Sequence, residues 1–141
     1  MVNMKTILIL LLLLCLGNPS ALHAEAKTNS VAAATVVSHV DAKAAARLVA
    51  ENKVIILDVR TAEEFAGGHI AGATNINFSA TDFATQAGRL DRTKTYLLHC
   101  ASGGRSQRCL PQLQQLGFKE IIHLDGGLTA WKAAGNPIAK K

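Results

Sequence analysis

Thr95-Tyr96-Leu97-Leu98-His99-Cys100-Ala101-Ser102-Gly103-Gly104-Arg105-Ser106 runs from an apolar stretch into a cysteine, a glycine pair and an arginine. The first five residues read as a buried strand. A helix is expected from about Arg105 to Leu116, with Gly117 as its terminator and a kink at Pro111. Cys100 then sits at the carboxyl end of a strand, where open α/β sheets form ligand sites. A helix starting there offers unpaired N–H groups and a positive dipole end, both of which favour thiolate over thiol. Gly103 and Gly104 allow the loop to turn several N–H groups inward through φ values that other residues resist. Arg105 adds fixed positive charge at the rim. Cys100 is therefore the candidate nucleophile, and Ala101, Ser102, Gly103, Gly104 and Arg105 form a cradle for an anion attached to, or attacking, its sulfur. That chemistry needs a sulfur reachable from solvent and loop amides aimed at it. The plainer alternative, an inert cysteine at a strand end, leaves the glycine pair and the arginine unexplained.

On either side of this stretch, apolar β-like runs alternate with helical ones, the pattern of an α/β domain with a parallel sheet. Thr35 to Val40 is a first strand, and Asp41 caps a helix through about Asn52. Val54-Ile55-Ile56-Leu57 is a strand covered on both faces. Thr61-Ala62-Glu63-Glu64 is a capping box opening a short helix that Gly67-Gly68 stops. Ala73 to Phe78 holds a short strand and Asp82 to Leu90 a modest helix. Glu120 to Leu124 is the last strand, followed by an Asp125-Gly126-Gly127 turn and a short helix carrying Trp131.

The first stretch of the 141 residues reads differently. Lys5, the apolar run from Ile7 to Leu16 and the polar Gly17-Asn18-Pro19-Ser20 follow the order of a secretory signal peptide. The run is about half of the roughly 20 residues that a membrane-spanning helix needs. Residues 1–26 are assigned to the signal, with cleavage between Ala24 and Ala26, residues 27–35 to a flexible leader, and 36–141 to one domain. The expected location is a bacterial periplasm, with no membrane attachment after cleavage. Loss of Lys5 takes the 15 basic residues to 14; against 10 acidic residues, or 9 without Glu25, the balance is +4 or +5. These charges are scattered, so no nucleic-acid partner is expected. The chain is expected to be a monomer. Cys100 and Cys109 remain after Cys15 is removed. They lie nine positions apart on one loop–helix unit, too far for the Cα separation of about 4.4–6.8 Å in a disulfide. A redox pair would need that bridge, and Cys109 reads as core filler. No cluster has metal-ligand spacing and no dinucleotide or Walker loop is present, so neither metal nor cofactor is expected.

Four segments together resemble the rhodanese homology domain over nearly all of residues 36 to 138. They are Leu57-Asp58-Val59-Arg60 with Glu63-Glu64-Phe65; Gly68-His69-Ile70-Ala71-Gly72-Ala73-Thr74-Asn75-Ile76; the Cys100 to Ser106 loop; and Asp125-Gly126-Gly127-Leu128-Thr129-Ala130-Trp131 with Gly135-Asn136-Pro137-Ile138. The resemblance implies a three-layer α/β fold, a five-stranded parallel sheet flanked by helices on both faces. It also implies a sulfurtransferase in which Cys100 takes sulfane sulfur from a small anionic donor such as thiosulfate and passes it to cyanide or a thiol. Asp58 and Arg60 match the family's Asp-x-Arg pair and read as a frame for the active loop rather than as proton shuttles. His69 reads as a turn residue and His99 as packing beside its strand.

The Cys100-to-Arg105 loop has the six-residue length of sulfur-transferring members, whereas phosphatase relatives carry one residue more. Positions 101 to 104 hold no cation, although many thiosulfate-specific members place one directly after the cysteine. Mercaptopyruvate users resemble a different loop, so low-molecular-weight or protein persulfides join thiosulfate as candidate donors. The small, uncharged loop interior also suits a persulfide-carrier module with little turnover of its own.

Overall fold

A computed structural model of the chain describes residues 34–140. The signal-peptide assignment and all but the last two positions of the leader fall outside the described residues. Ten elements alternate: β1 (Val36–Val40), α1 (Ala42–Ala50), β2 (Ile55–Asp58), α2 (Ala62–Ala66), β3 (Thr74–Asn75), α3 (Phe83–Gly88), β4 (Thr95–His99), α4 (Gly104–Gln115), β5 (Glu120–Leu124) and α5 (Gly127–Ala133). The strands form one sheet in the order β1-β5-β4-β2-β3, and every pairing is parallel.

Each strand sends alternate side chains to opposite faces, and both faces are covered. Leu57, Tyr96, Leu98 and Ile121 pack with Phe83 and Ala87 of α3 and Cys109 and Leu113 of α4. Their neighbours Ile56, Leu97, Ile122 and Leu124 pack with Ala42 and Ala45 of α1 and Leu128 and Trp131 of α5. Double coverage is why these strands read as unbroken apolar runs.

The helix starts follow local chemistry. Asp41 accepts from Ala44 N at 2.7 Å, and Thr61 and Glu64 close a complete capping box on α2. α1 ends at Ala50, earlier than its composition suggests, because Asn52 turns to positive φ (53°). α4 continues past Pro111 to Gln115 rather than breaking there. Pro111 and Gln107 are both exposed, so water can serve the Gln107 carbonyl that Pro111 leaves without a donor.

β4 lies at the middle of the sheet, so Cys100, directly after it, is flanked by the ends of β2 and β5. The β2 end is fixed by a buried ion pair. Arg60 Nη2 donates to Asp58 Oδ2 at 2.6 Å and to the Gly68 carbonyl at 2.8 Å, while Nη1 donates to the Glu64 carbonyl at 3.1 Å. Asn75 Nδ2 donates to the carbonyls of both Asp58 and Arg60. One guanidinium thus ties β2 to α2 and to the turn before β3. Its carboxylate partner is fully buried, so Arg60→Ala strands a charge away from water. That variant is expected to lose about 3–5 kcal/mol of unfolding free energy in urea titrations. A loss no larger than an exposed pair gives, about 1 kcal/mol or less, would contradict the buried-frame reading.

Candidate active site

Gly103, the N-cap of α4, has φ +102°, a conformation that side chains resist and glycine accepts. That turn points its N–H at Cys100 Sγ, 3.1 Å away. The Ser106 hydroxyl lies 3.5 Å from the same sulfur. Loop carbonyls are satisfied on the other side: Leu128 N donates to Cys100 O and Thr129 N to Ala101 O, each at 2.9 Å. The first turn of α5 therefore holds the loop from behind while its amides face the sulfur. Gly127 makes this approach possible. A Cβ there would lie 2.6 Å from Cys100 O and 2.8 Å from Ala101 O, and φ is +57°.

Two opposing effects act on the Cys100 thiol. Burial pushes its pKa up, but the hydrogen bond from the Ser106 hydroxyl and the backbone N–H groups of Ser106, Gly103 and Ser102 more than offset it, leaving the pKa below the ordinary value. The amides point as the sequence requires; the exposure does not follow. Cys100 has only 1% of its surface open.

Arg105 is not the free rim cation that its position suggests. Nη1 and Nη2 donate to the two carboxylate oxygens of Glu64, each at 2.7 Å. The same carboxylate accepts from Thr61 N at 3.0 Å. The Arg105 guanidinium opposite it holds the Glu64 carboxyl down at about 2, against an ordinary 4.5. In the sequence Glu64 is visible as half of a capping box and as part of a family segment, but not as a partner of Arg105, which is 41 residues away.

A polar chain runs from the buried Ser106 and His123 beside the sulfur out to the exposed Asp125. Ser106 Oγ is 2.9 Å from His123 Nε2, and His123 Nδ1 is 3.0 Å from Asp125 Oδ1. Among these residues the sequence marks Ser106 only as the end of the loop and His123 not at all. The contact depends on α4 crossing the sheet face on which His123 stands.

A family model for the rhodanese-like domain matches residues 41–134. The chain belongs to the rhodanese-like domain family. It is 36% identical over 83 residues to the thiosulfate sulfurtransferase GlpE of Ectopseudomonas mendocina, covering 58% of this chain and 73% of that one. An uncharacterized Synechocystis protein is 42% identical over 90 residues, 64% of this chain; the chain spans only 49% of that relative. Among solved structures, a rhodanese-related protein from Thermoplasma volcanium superposes with a TM-score of 0.67 at 30% identity, covering 74% of this chain and 99% of that one.

Within this rhodanese domain Asp58 and Arg60 pair with each other but do not hydrogen-bond to the cysteine loop. Their connection to it is indirect, through Glu64, whose main chain Arg60 holds and whose carboxylate Arg105 holds, and through His99. His99 is fully buried. Its Nδ1 lies 3.1 Å from Cys100 O, and its Nε2, 3.7 Å from Asp58 Oδ2, has no hydrogen-bond partner. Burial pushes its pKa down, against the pull of Asp58. His69 Nδ1 is 2.9 Å from Phe65 O and the ring stacks on Phe65, a turn contact. Cys109 is fully buried in the core under α4, where its Sγ donates to Ser106 O at 3.1 Å. Burial pushes that thiol up to about 12, so the redox-pair alternative lacks a second reactive sulfur. Both cysteines are free.

Gly127→Ala is expected to push α5 off the loop and move the pH profile of Cys100 alkylation by iodoacetamide to higher pH. An unmoved profile in a folded variant would mean that the loop amides hold the sulfur without α5. Because the folded Glu64 pKa is depressed, its pairing contributes fully above the ordinary 4.5 and fades as pH falls toward about 2. Solvent screening keeps that contribution to about 1 kcal/mol or less. Glu64→Gln should accordingly flatten the acid limb of stability over that range in urea titrations at stepped pH.

Proposed function

We propose that the chain is a sulfurtransferase that carries sulfane sulfur as a persulfide on Cys100. The observation that supports this best is the sulfur itself, ringed by the N–H of Gly103 and the Ser106 hydroxyl at the start of α4. Family membership and the thiosulfate sulfurtransferases among the relatives point the same way.

In the first half-reaction the Cys100 thiolate attacks the sulfane sulfur of a donor such as thiosulfate. A new S–S bond forms, the donor's own S–S bond breaks, and sulfite leaves with its electron pair. In the second, cyanide or a thiolate attacks the outer sulfur, and the pair of the breaking S–S bond returns to Cys100. No external oxidant or reductant enters, and no general base is needed once the thiolate exists. The outer sulfur of the persulfide carries negative charge that the Ser102, Gly103 and Ser106 donors can take up. With Arg105 held by Glu64, the loop amides rather than a free cation carry the recognition of an anionic donor.

The 1% exposure of Cys100 sets the shape of the donor. A slender sulfane sulfur must enter end-on, with the loop at residues 101–103 yielding to admit it. The working location proposed is the periplasm, after removal of residues 1–26; the support is the signal-like order of Lys5, the apolar run and the polar segment after it.

Intact-mass measurement of the exported protein, before and after thiosulfate and then after cyanide, should show loss of the signal, gain of one sulfur atom and its removal. Cys100→Ser should abolish both the adduct and thiocyanate formation; full turnover in that variant would end the proposal. An adduct with negligible turnover would favour the persulfide-carrier alternative. Iodoacetamide should react with Cys100 at least about tenfold faster than a bulky aromatic disulfide does, each rate normalised to a free thiol. Equal normalised rates would show that the loop does not restrict access.

A further inference from the structure

At the β1–β5 edge of the sheet, three side chains meet that no sequence motif connects. His39 and His123 are register partners on adjacent parallel strands, so their side chains share a face. Asp125, two residues beyond His123, comes back to that face. One ligand atom from each lies within 4.8 Å of the other two. His39 Nδ1 is 2.8 Å and His123 Nδ1 3.0 Å from Asp125 Oδ1, and the two rings are 4.9 Å apart. The side chains of His39 and Asp125 are 45% and 56% exposed, while that of His123 is 3% exposed. The cluster thus has one rigid inner donor and two outer donors free to adjust.

We propose that His39, His123 and Asp125 bind a divalent transition metal of the zinc type, and that its binding redirects the Ser106 hydroxyl toward Cys100. Two imidazoles and a carboxylate, with an open side for water, are a donor set that such a cation accepts. Bonds of about 2.0–2.2 Å require the three atoms to draw together around the ion, which His39 and Asp125 can do from solvent. A ligating imidazole also needs its far nitrogen held. His123 meets that condition, with Nε2 2.9 Å from the buried Ser106 Oγ.

The coupling follows from counting protons. Ser106 has one hydroxyl proton and three neighbours that can receive it: Gly103 O at 2.9 Å, His123 Nε2 at 2.9 Å and Cys100 Sγ at 3.5 Å. Without metal, Asp125 favours the His123 proton on Nδ1, which leaves Nε2 as an acceptor competing for that hydroxyl. A metal on Nδ1 displaces the proton, and the neutral ring carries it on Nε2 instead, by exchange with solvent or Ser106. Nε2–H then donates to Ser106 Oγ, which removes one of the two acceptors that compete with the sulfur for the hydroxyl proton. Of the two groups left, Gly103 O and Cys100 Sγ, the thiolate is the charged one and draws it more strongly. No electron moves; one proton changes nitrogen and one hydrogen bond reverses. The site stands independently of sulfur transfer, and only the significance of the coupling for turnover rests on that reading.

The test titrates the purified chain with Zn2+ against a chromophoric chelator, then records iodoacetamide alkylation of Cys100 across pH with and without the metal. A single Zn2+ should bind, and Cys100→Ser should bind it equally well. His39→Asn and Asp125→Asn, both at exposed positions, should weaken binding at least about 10–100-fold. Zinc should move the alkylation profile to lower pH, and Ser106→Ala, which removes the partner of His123 Nε2 and so weakens zinc binding, should lose that shift even at saturating zinc. Zinc lost in Cys100→Ser, or retained unchanged in the His39 and Asp125 variants, would overturn the site. Binding with an unmoved alkylation profile would overturn the coupling. Failure of thiocyanate formation would leave each of these readings intact, so the two proposals fail separately.

Discussion

The active loop keeps its shape because its carbonyls are claimed from outside. Cys100 O and Ala101 O accept from the first turn of α5, and Gly103 O accepts from the first turn of α4. A peptide unit whose oxygen is fixed on one side presents its neighbours' N–H groups on the other, so the donors around the sulfur are set by bonds made away from it. This explains why residues remote in sequence matter to one thiol. The absence of a side chain at Gly127 permits the contact, and Trp131, buried among α1 and β5 side chains with its Nε1 donating to Pro137 O, anchors the helix that makes it.

Charge at the site is handled by pairing more than by accumulation. Arg60 is neutralised by Asp58 and Arg105 by Glu64, so neither arginine offers an unshared charge to the loop. Arg105, so paired, still attracts the Cys100 sulfur at a distance, but the groups that hydrogen-bond to that sulfur are backbone N–H groups and one hydroxyl. Such donors already face the sulfur before any ligand arrives.

Where partners are local, the sequence was enough. The strands of the double-covered sheet appear as apolar runs, the Thr61–Glu64 box closes within three residues, and Cys100 follows β4 directly. Arg105 shows the limit: its charge is readable and its occupation by Glu64 is not, because the contact depends on how α2 and α4 approach across the top of the sheet. His123 looks like an unremarkable strand residue until the β1–β5 register places His39 beside it. The depth of Cys100 was equally hidden. Cys100 packs into the core cluster with residues from β2, β4, α3 and α4, a tertiary effect that no spacing within the loop encodes.

The contrast between the two free thiols has a consequence for damage. Oxidation of a thiolate to sulfenic acid is reversible only while a second thiol can condense with it. Cys109 sits on the adjoining helix but is buried, protonated and committed to Ser106 O, so it cannot serve as that resolving partner. Among the described residues there is no other sulfur. An oxidised Cys100 therefore depends on a thiol from outside the fold, and the burial of its sulfur restricts which reductants can reach it.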